Sequence, residues 1–218
     1  MKAIIFDMDG IIFDTENMFL NIWRKIADDY GLADIDSVYR KVIGVKAEIT
    51  KTIYQEAYGE DFAYDELNRL ALERFYEQEE KAGIPMKTGV IELLGFLRSN
   101  GYRIGLASST KTEIVKRQLG QSNLLRFFEV VVGGDMVGKS KPEPDIFLEA
   151  CRQLSAPPAA TYAVEDSFNG VRAAHAAGMK VIMVPDIVLP DAEIKELTEK
   201  IYPSLIEVLE YLKKHLHL

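Results

Sequence analysis

Five short apolar runs, separated by longer amphipathic stretches, constrain the fold of this chain more than any other feature. The runs are rich in β-branched or aromatic residues and are bounded by glycine or polar residues, as buried parallel strands are. They span residues 3–6, 102–107, 130–132, 162–164 and 181–184. Helix-like stretches lie at residues 90–99, 112–118, 144–154 and 170–177. This alternation predicts an α/β fold with βαβ units and a doubly wound, Rossmann-like parallel sheet.

One long stretch, residues 16–84, interrupts this alternation. Its apolar residues lie three and four positions apart among many charged residues, which is typical of amphipathic helices, and no strand-like run separates them. Polar residues mark its start, and Gly83 and Pro85 mark its end, so the two junctions are natural hinges. We therefore predict a core domain of residues 1–15 and 85–218, with a helical-bundle domain inserted after the first strand.

Composition excludes several classes of protein. The chain has 218 residues, 48 % hydrophobic and 28 % charged, as ordered globular proteins do, and no apolar run approaches the ~18 to 20 residues of a membrane helix. The net charge of -8 gives no support for nucleic acid or an anionic membrane as a partner. The single cysteine, Cys151, excludes an internal disulfide framework. We expect a cytoplasmic protein without a signal peptide.

Four acidic residues follow two of the predicted strands. Asp7 and Asp9 come directly after the first apolar run, and Glu165 and Asp166 come after the fourth. Acids at such positions also terminate strands or cap helices, and each pair alone allows that interpretation. Together, four acids at neighbouring strand ends repel one another unless a cation lies among them. Oxygen ligands of this kind favour a hard ion, so we predict a Mg²⁺ site.

Hydroxyl groups and a lysine supply what a phosphate group needs. Three hydroxyl residues, Ser108, Ser109 and Thr110, follow another predicted strand and precede a helix, whose N-terminus favours anions. Lys141 lies just ahead of a proline-opened helix, where its charge is unfavourable for the helix dipole but favourable for a bound anion. Simple helix capping by the serines and a solvated surface lysine remain the alternatives.

These residues resemble the motifs of the haloacid dehalogenase superfamily, in the same order along the chain. The first motif is similar to Asp7-Met-Asp9-Gly10-Ile-Ile-Phe-Asp14-Thr15, the second to Ser108, the third to Lys141-Pro142 and the fourth to Glu165-Asp166. The helical insertion corresponds to the helical cap of that superfamily. The resemblance covers essentially the whole chain and is closest to the branch of beta-phosphoglucomutase and phosphoglycolate phosphatase.

The resemblance implies a role for each matched residue. Asp7 would be the nucleophile that becomes an aspartyl phosphate, and Asp9 the general acid and then base. Mg²⁺ would be held by the carboxylates of Asp7 and Asp166 and the main-chain carbonyl of Asp9, with Glu165 in support. Phosphate would be bound by Ser108, Ser109 and Lys141. An aspartate at position 9 fits an oxygen leaving group, so dehalogenase and phosphonatase activities are excluded.

The resemblance leaves two activities open, phosphatase and hexose-phosphate mutase. Residues 17–20 lack the histidine of beta-phosphoglucomutase, and Ala47 stands where its cap arginine is expected, although Lys46 could replace that arginine in part. These departures favour a phosphatase acting on a small phosphorylated metabolite. The cap residues expected to contact the substrate are Phe19, Trp23 and Lys46.

Two further alternatives remain beside the mutase. A phospho-receiver signalling module also uses Mg²⁺, an acceptor aspartate, a hydroxyl and a lysine, but receivers are much shorter and lack a cap. The second alternative is a member of the superfamily that binds its ligand without catalysis, although every motif position in this chain is intact. We expect the protein to be a monomeric enzyme, a phosphoric monoester hydrolase.

Overall fold

The computed structural model describes residues 2–43 and 47–215. The described strands form one sheet, in which every neighbouring pair is parallel and the order is β3-β2-β1-β4-β5-β6. The strands are β1 Ala3–Phe6, β2 Arg103–Ser108, β3 Val130–Gly133, β4 Thr161–Glu165, β5 Lys180–Met183 and β6 Lys200–Ile201. The prediction of an α/β fold with a doubly wound parallel sheet is confirmed.

Helices occupy most of the remaining chain. In chain order they are α1 Thr15–Tyr30, α2 Ile35–Val42, α3 Ala47–Tyr58, α4 Tyr64–Ala82, α5 Val90–Ser99, α6 Thr112–Gln121, α7 Asp145–Gln153, α8 Phe168–Ala176, α9 Ala192–Leu197 and α10 Leu205–His215. The chain separates into two compact units, one of residues 1–14 and 86–218 and the other of residues 15–85. The predicted domain limits lie one residue away from this division. We call these the α/β unit and the helical unit.

The sheet of the α/β unit is buried on both faces. Ala3 and Ile5 of β1 point into a core that also contains Phe147 and Cys151 of α7 and small residues of α8. Ile4 and Phe6, which alternate with them, are also fully buried. Burial of both faces explains why the strands are continuous apolar runs, without the alternation of a half-exposed sheet.

The helical unit has an aromatic core of its own. Trp23 on α1 is 2 % exposed, and its ring lies 4.8 Å from that of Tyr54 on α3 and 6.4 Å from that of Tyr64 on α4. Tyr58 and Phe62 extend this cluster. Trp23 was predicted to face the substrate. It is instead a packing residue, because its ring is almost fully buried against other aromatic rings of the helical unit. Among the described helices, none is long and apolar enough to cross a membrane.

Candidate active site

The order of the strands places the predicted site residues at one edge of the sheet. The chain runs outward from β1 through β2 and β3 on one side, and continues from β4 on the other side of β1. Ligands of such sheets bind at this reversal, beyond the carboxyl ends of the strands. Asp7 follows β1 directly, while Ser108 and Glu165 are the last residues of the neighbouring strands β2 and β4. The amide of Asp7 still donates to the carbonyl of Val164, 2.9 Å away, which continues the β1–β4 pairing into the site.

Lys141 lies at the centre of the site. Its Nζ is 2.5 Å from Oδ1 of Asp7 and 2.6 Å from Oε1 of Glu165, and it also donates to the carbonyl of Ala107 at 3.3 Å. The Lys141 side chain is only 7 % exposed, so these are buried ion pairs, screened little by solvent. The alternative of a solvated surface lysine is therefore wrong for Lys141.

The site holds more negative charge than Lys141 neutralises. Burial raises the pKa of Asp7 to about 8, and the neighbouring carboxylates of Glu165 and Asp9 add to the rise, while Lys141 opposes it. Burial lowers the pKa of Lys141, but Asp7 and Glu165 outweigh burial, so this pKa lies above its usual value and the ammonium stays charged. A further cation at the carboxylates would favour the ionised form of Asp7.

Glu165 is buried and fixes the backbone of the residues that follow it. Its side chain is fully buried, and Oε2 accepts hydrogen bonds from the amides of Asp166 and Ser167 at 3.0 and 3.1 Å. Ser167 in turn caps α8, because its hydroxyl accepts from the amide of Gly170 at 3.1 Å. Ser167 is therefore the N-cap of α8, and neither Glu165 nor Asp166 has that role.

Three carboxylates meet closely enough to share one ion. Asp7, Glu165 and Asp166 each offer an oxygen, and these three oxygens lie within 4.8 Å of one another. All three donors are carboxylate oxygens, the ligand type that Mg²⁺ prefers. The carboxylate of Asp9 does not belong to this group. The predicted role of the Asp9 main-chain carbonyl stays a prediction.

The carboxylate of Asp9 instead contacts hydroxyl groups that follow β2. Its Oδ2 accepts from the hydroxyl of Ser108 at 3.4 Å and from that of Thr110 at 3.2 Å. Ser108 is fully buried, whereas Ser109 between them is exposed. The sequence placed Thr110 among the hydroxyl residues after this strand but assigned it no role, because its contact with Asp9 depends on how two loops approach each other.

Gly133, which ends β3, and Gly134, which follows it, support the hydroxyl-bearing loop of residues 108–110. A Cβ on Gly133 would overlap the backbone of Thr112, and one on Gly134 would overlap the carbonyl of Ser109. The amide of Gly134 donates to the carbonyl of Thr110 at 3.0 Å. Only glycine lets the loop after β3 approach the loop after β2 this closely.

A second, partly buried lysine lies where the chain re-enters the α/β unit. Nζ of Lys87 is 2.8 Å from Oδ1 of Asp186 and 3.2 Å from Oδ1 of Asp14, and the Lys87 amide donates to the carbonyl of Ile12 at 3.0 Å. The loop that begins at Asp7 is therefore tied at its far end to residues distant in sequence. Nothing in the sequence pattern distinguishes Lys87 from a surface lysine.

The structure does not bring Phe19, one of the residues predicted to contact the substrate, into this cluster of described residues. Phe19 stacks on Phe75 within the helical unit, with ring centroids 4.8 Å apart, and is only half-buried. Lys46 lies outside the described residues. The substrate role of both residues stays a prediction.

The chain was compared with known proteins. It is 39 % identical over 189 residues to a Bacillus subtilis (strain 168) protein named "Putative phosphatase YhcW", covering 85 % of this chain and 84 % of the relative. It is 31 % identical over 185 residues to the phosphorylated carbohydrates phosphatase of Thermotoga maritima, covering 84 % of each chain.

The fold and the sequence agree on one family. The crystal structure of beta-phosphoglucomutase from Clostridium difficile superposes with a TM-score of 0.69 and 25 % identity, covering 97 % of this chain and 95 % of that one. The haloacid dehalogenase-like hydrolase family matches residues 4–184, a span that contains both acid pairs, the hydroxyl-bearing loop and Lys141. With that span matched and the fold shared, this chain belongs to the haloacid dehalogenase-like hydrolase family.

Proposed function

We propose that this protein is a Mg²⁺-dependent phosphatase that hydrolyses a small phosphorylated metabolite through an aspartyl-phosphate intermediate. The expectation of a phosphoric monoester hydrolase agrees with relatives that are named phosphatases and cover most of the chain. One observation carries the mechanistic proposal: a buried lysine joins Asp7 and Glu165 where Asp166 completes a carboxylate group. That arrangement pairs a nucleophile with the positive charge that an anionic substrate requires.

In the first step, an oxygen of the Asp7 carboxylate attacks the phosphorus atom. The bond between phosphorus and the ester oxygen breaks, and Asp9 gives a proton to that oxygen, so the alcohol leaves neutral. Ser108 donates a hydrogen bond to the transferring phosphoryl group, and the Lys141 ammonium offsets its charge. Without these groups, the repulsion between a carboxylate and a phosphate dianion opposes the approach.

The second step regenerates the enzyme. Asp9, now a carboxylate, takes a proton from water while the water oxygen bonds to phosphorus, and the bond between phosphorus and the Asp7 oxygen breaks. Inorganic phosphate leaves and Asp7 is a carboxylate again. Lys141 stays within hydrogen-bond distance of Asp7 and Glu165 in the resting site, so its charge is in place for both steps.

The residues present fit a divalent cation. Asp7 and Asp166 would hold it, with Glu165 beside them, because their oxygens lie within 4.8 Å of one another. When bound, such an ion supplies positive charge that stabilises the transferring phosphoryl group. Burial raises the pKa of Asp7, and a positive charge beside this carboxylate would favour the ionised form that attacks phosphorus.

The names of the similar proteins support a class of substrate to test first. The Thermotoga maritima relative is named for phosphorylated carbohydrates, and the superposed Clostridium difficile structure is a sugar-phosphate mutase by name. We therefore place sugar phosphates first among the metabolites to be tested.

Release of inorganic phosphate from a panel of sugar phosphates, phosphoglycolate and nucleoside monophosphates tests this proposal. Each compound is assayed with Mg²⁺ and with chelator, for the native protein, for Asp7→Asn and for Asp28→Asn, an exposed carboxylate of the helical unit. We expect metal-dependent release that Asp28→Asn retains and Asp7→Asn abolishes. Full activity of Asp7→Asn would overturn the aspartyl-phosphate mechanism.

A hexose-phosphate mutase is the second candidate, because the superposed Clostridium difficile structure is named beta-phosphoglucomutase. Conversion of beta-glucose 1-phosphate to glucose 6-phosphate, followed in the same samples, separates the two. A phosphatase releases phosphate from the sugar without forming the isomer. Isomer formed faster than phosphate would identify a mutase.

A further inference from the structure

We propose that Thr110 is a positioning residue for Asp9, and that its hydroxyl holds the carboxyl in the orientation for proton transfer to the leaving group. The inference rests on the proposed function and adds a residue to it. The hydroxyl of Thr110 lies 3.2 Å from Oδ2 of Asp9, and the resemblance assigned no role to Thr110.

The hydrogen bonds of Ser108 explain why a second hydroxyl is needed. A serine hydroxyl has one proton to donate and lone pairs to accept with. In the described structure the amide of Thr110 donates to Ser108 Oγ at 3.1 Å, which leaves the Ser108 proton directed at Oδ2 of Asp9, 3.4 Å away. When the Ser108 hydroxyl donates its hydrogen bond to a phosphoryl group, that hydrogen bond no longer holds the Asp9 carboxylate.

Thr110 can hold Asp9 while Ser108 binds phosphate. Its contact to Oδ2 is shorter than that of Ser108, and its backbone is fixed because its carbonyl accepts from the amide of Gly134 at 3.0 Å. The branched side chain of threonine also restricts rotation about χ1, so the hydroxyl direction follows from the backbone. Thr110 therefore retains Asp9 when substrate enters.

The contact also assigns the two oxygens of Asp9. A protonated carboxyl that accepts a hydrogen bond on Oδ2 carries its transferable proton on Oδ1. Holding Oδ2 at Thr110 thus directs Oδ1 toward the leaving group in the first step and toward water in the second. Loss of the Thr110 hydroxyl leaves the acid present but poorly oriented, and misplacement of a catalytic group by about 1 Å can cost on the order of a hundredfold in rate.

The dependence of rate on the leaving group tests this role. p-Nitrophenolate leaves without a proton, whereas the leaving oxygen of phenyl phosphate depends on the general acid. Release of the phenol in the first turnover is measured with Mg²⁺ for a series of aryl phosphates between these two. The proteins are the native chain, Thr110→Val, Thr110→Ser and Thr112→Val. Thr112 is the matched control, because it begins α6 just after this loop and its hydroxyl donates to Asp135, at 2.8 Å.

We expect Thr110→Val to react with p-nitrophenyl phosphate at nearly the native rate and with phenyl phosphate at least tenfold more slowly. Thr110→Ser should restore the native dependence, and Thr112→Val should not change it. An equal loss for all leaving groups in Thr110→Val, or a native dependence, would overturn the role of Thr110. No phosphate release by the native protein from any compound would instead overturn the proposed function itself.

Discussion

At the scale of single residues, the site depends on one buried cation. Lys141 is hydrogen-bonded to two carboxylates, one of them fully buried and the other nearly so. These acids have different roles, since Asp7 is the proposed nucleophile and Glu165 orients the loop after β4. A buried ion pair contributes little net stability, but removing one partner leaves an uncompensated charge. Lys141 thus links the stability of the fold to the chemistry of the site.

We expect Lys141→Met to lower the free energy of unfolding by about 3 kcal/mol, because it leaves buried carboxylates unpaired. Phosphate release should fall by at least a hundredfold, since the variant also loses charge that offsets the phosphoryl group. Urea unfolding and phosphate release check both effects. Lys139→Met is the control, because Lys139 is 67 % exposed and lies 3.7 Å from Glu143, a surface pair worth ~0–1 kcal/mol. Similar losses in the two variants would contradict this account.

At the scale of elements, the apolar runs predicted the sheet well. β1 and α5 begin and end at the predicted residues, and the other long elements differ by a few positions at their ends. Two elements of the α/β unit were missed: α9 is a six-residue polar helix, and β6 has two residues, so neither is long enough for periodicity to be seen. β6 pairs with β5 at the edge of the sheet, and α9 packs against α8.

Prediction of the site was limited in a different way. Strand ends locate Asp7, Glu165 and Ser108, because parallel strands bring their carboxyl ends to one edge. The contacts of Thr110 and Lys87 depend on how loops distant in sequence approach one another, and hydrophobic pattern carries no information about that approach. Gly133 shows the same limit, since its closeness to Thr112 is visible only once β3 lies beside β2.

The turn after β1 brings Gly10 close to Asp166, a proposed ligand of the metal ion. Gly10 has φ +75, and a Cβ there would overlap the carboxylate of Asp166. We expect Gly10→Ala to shift Asp166 and to raise the Mg²⁺ concentration at half-maximal activity severalfold. Gly31→Ala is the matched control, because Gly31 has φ +68 and nothing within 4 Å of the added Cβ.

Both alanines incur the cost of a left-handed backbone, about 1–2 kcal/mol. Urea unfolding measures that shared cost, and a titration of activity with Mg²⁺ isolates the effect on Asp166. An unchanged Mg²⁺ requirement in Gly10→Ala would show that Asp166 does not hold the ion.

At the scale of the whole molecule, each unit carries one natural reporter. The single tryptophan, Trp23, lies in the aromatic core of the helical unit, and the single cysteine, Cys151, lies in the core of the α/β unit. Burial raises the pKa of Cys151 to about 11, with Thr161 opposing the rise, so the thiol of the folded unit is unreactive near neutral pH. Fluorescence and thiol labelling therefore follow the two units separately.

We expect urea to unfold the helical unit first, because a smaller unit buries a smaller fraction of its surface. The change in Trp23 fluorescence should then occur at lower urea than the exposure of Cys151, detected by pulsed labelling. Trp23→Phe and Cys151→Ala assign each signal to its residue. Coincident midpoints would show that the two cores unfold as one cooperative unit. Separate midpoints would mean that a substitution can unfold the helical unit while the proposed catalytic residues of the α/β unit stay folded.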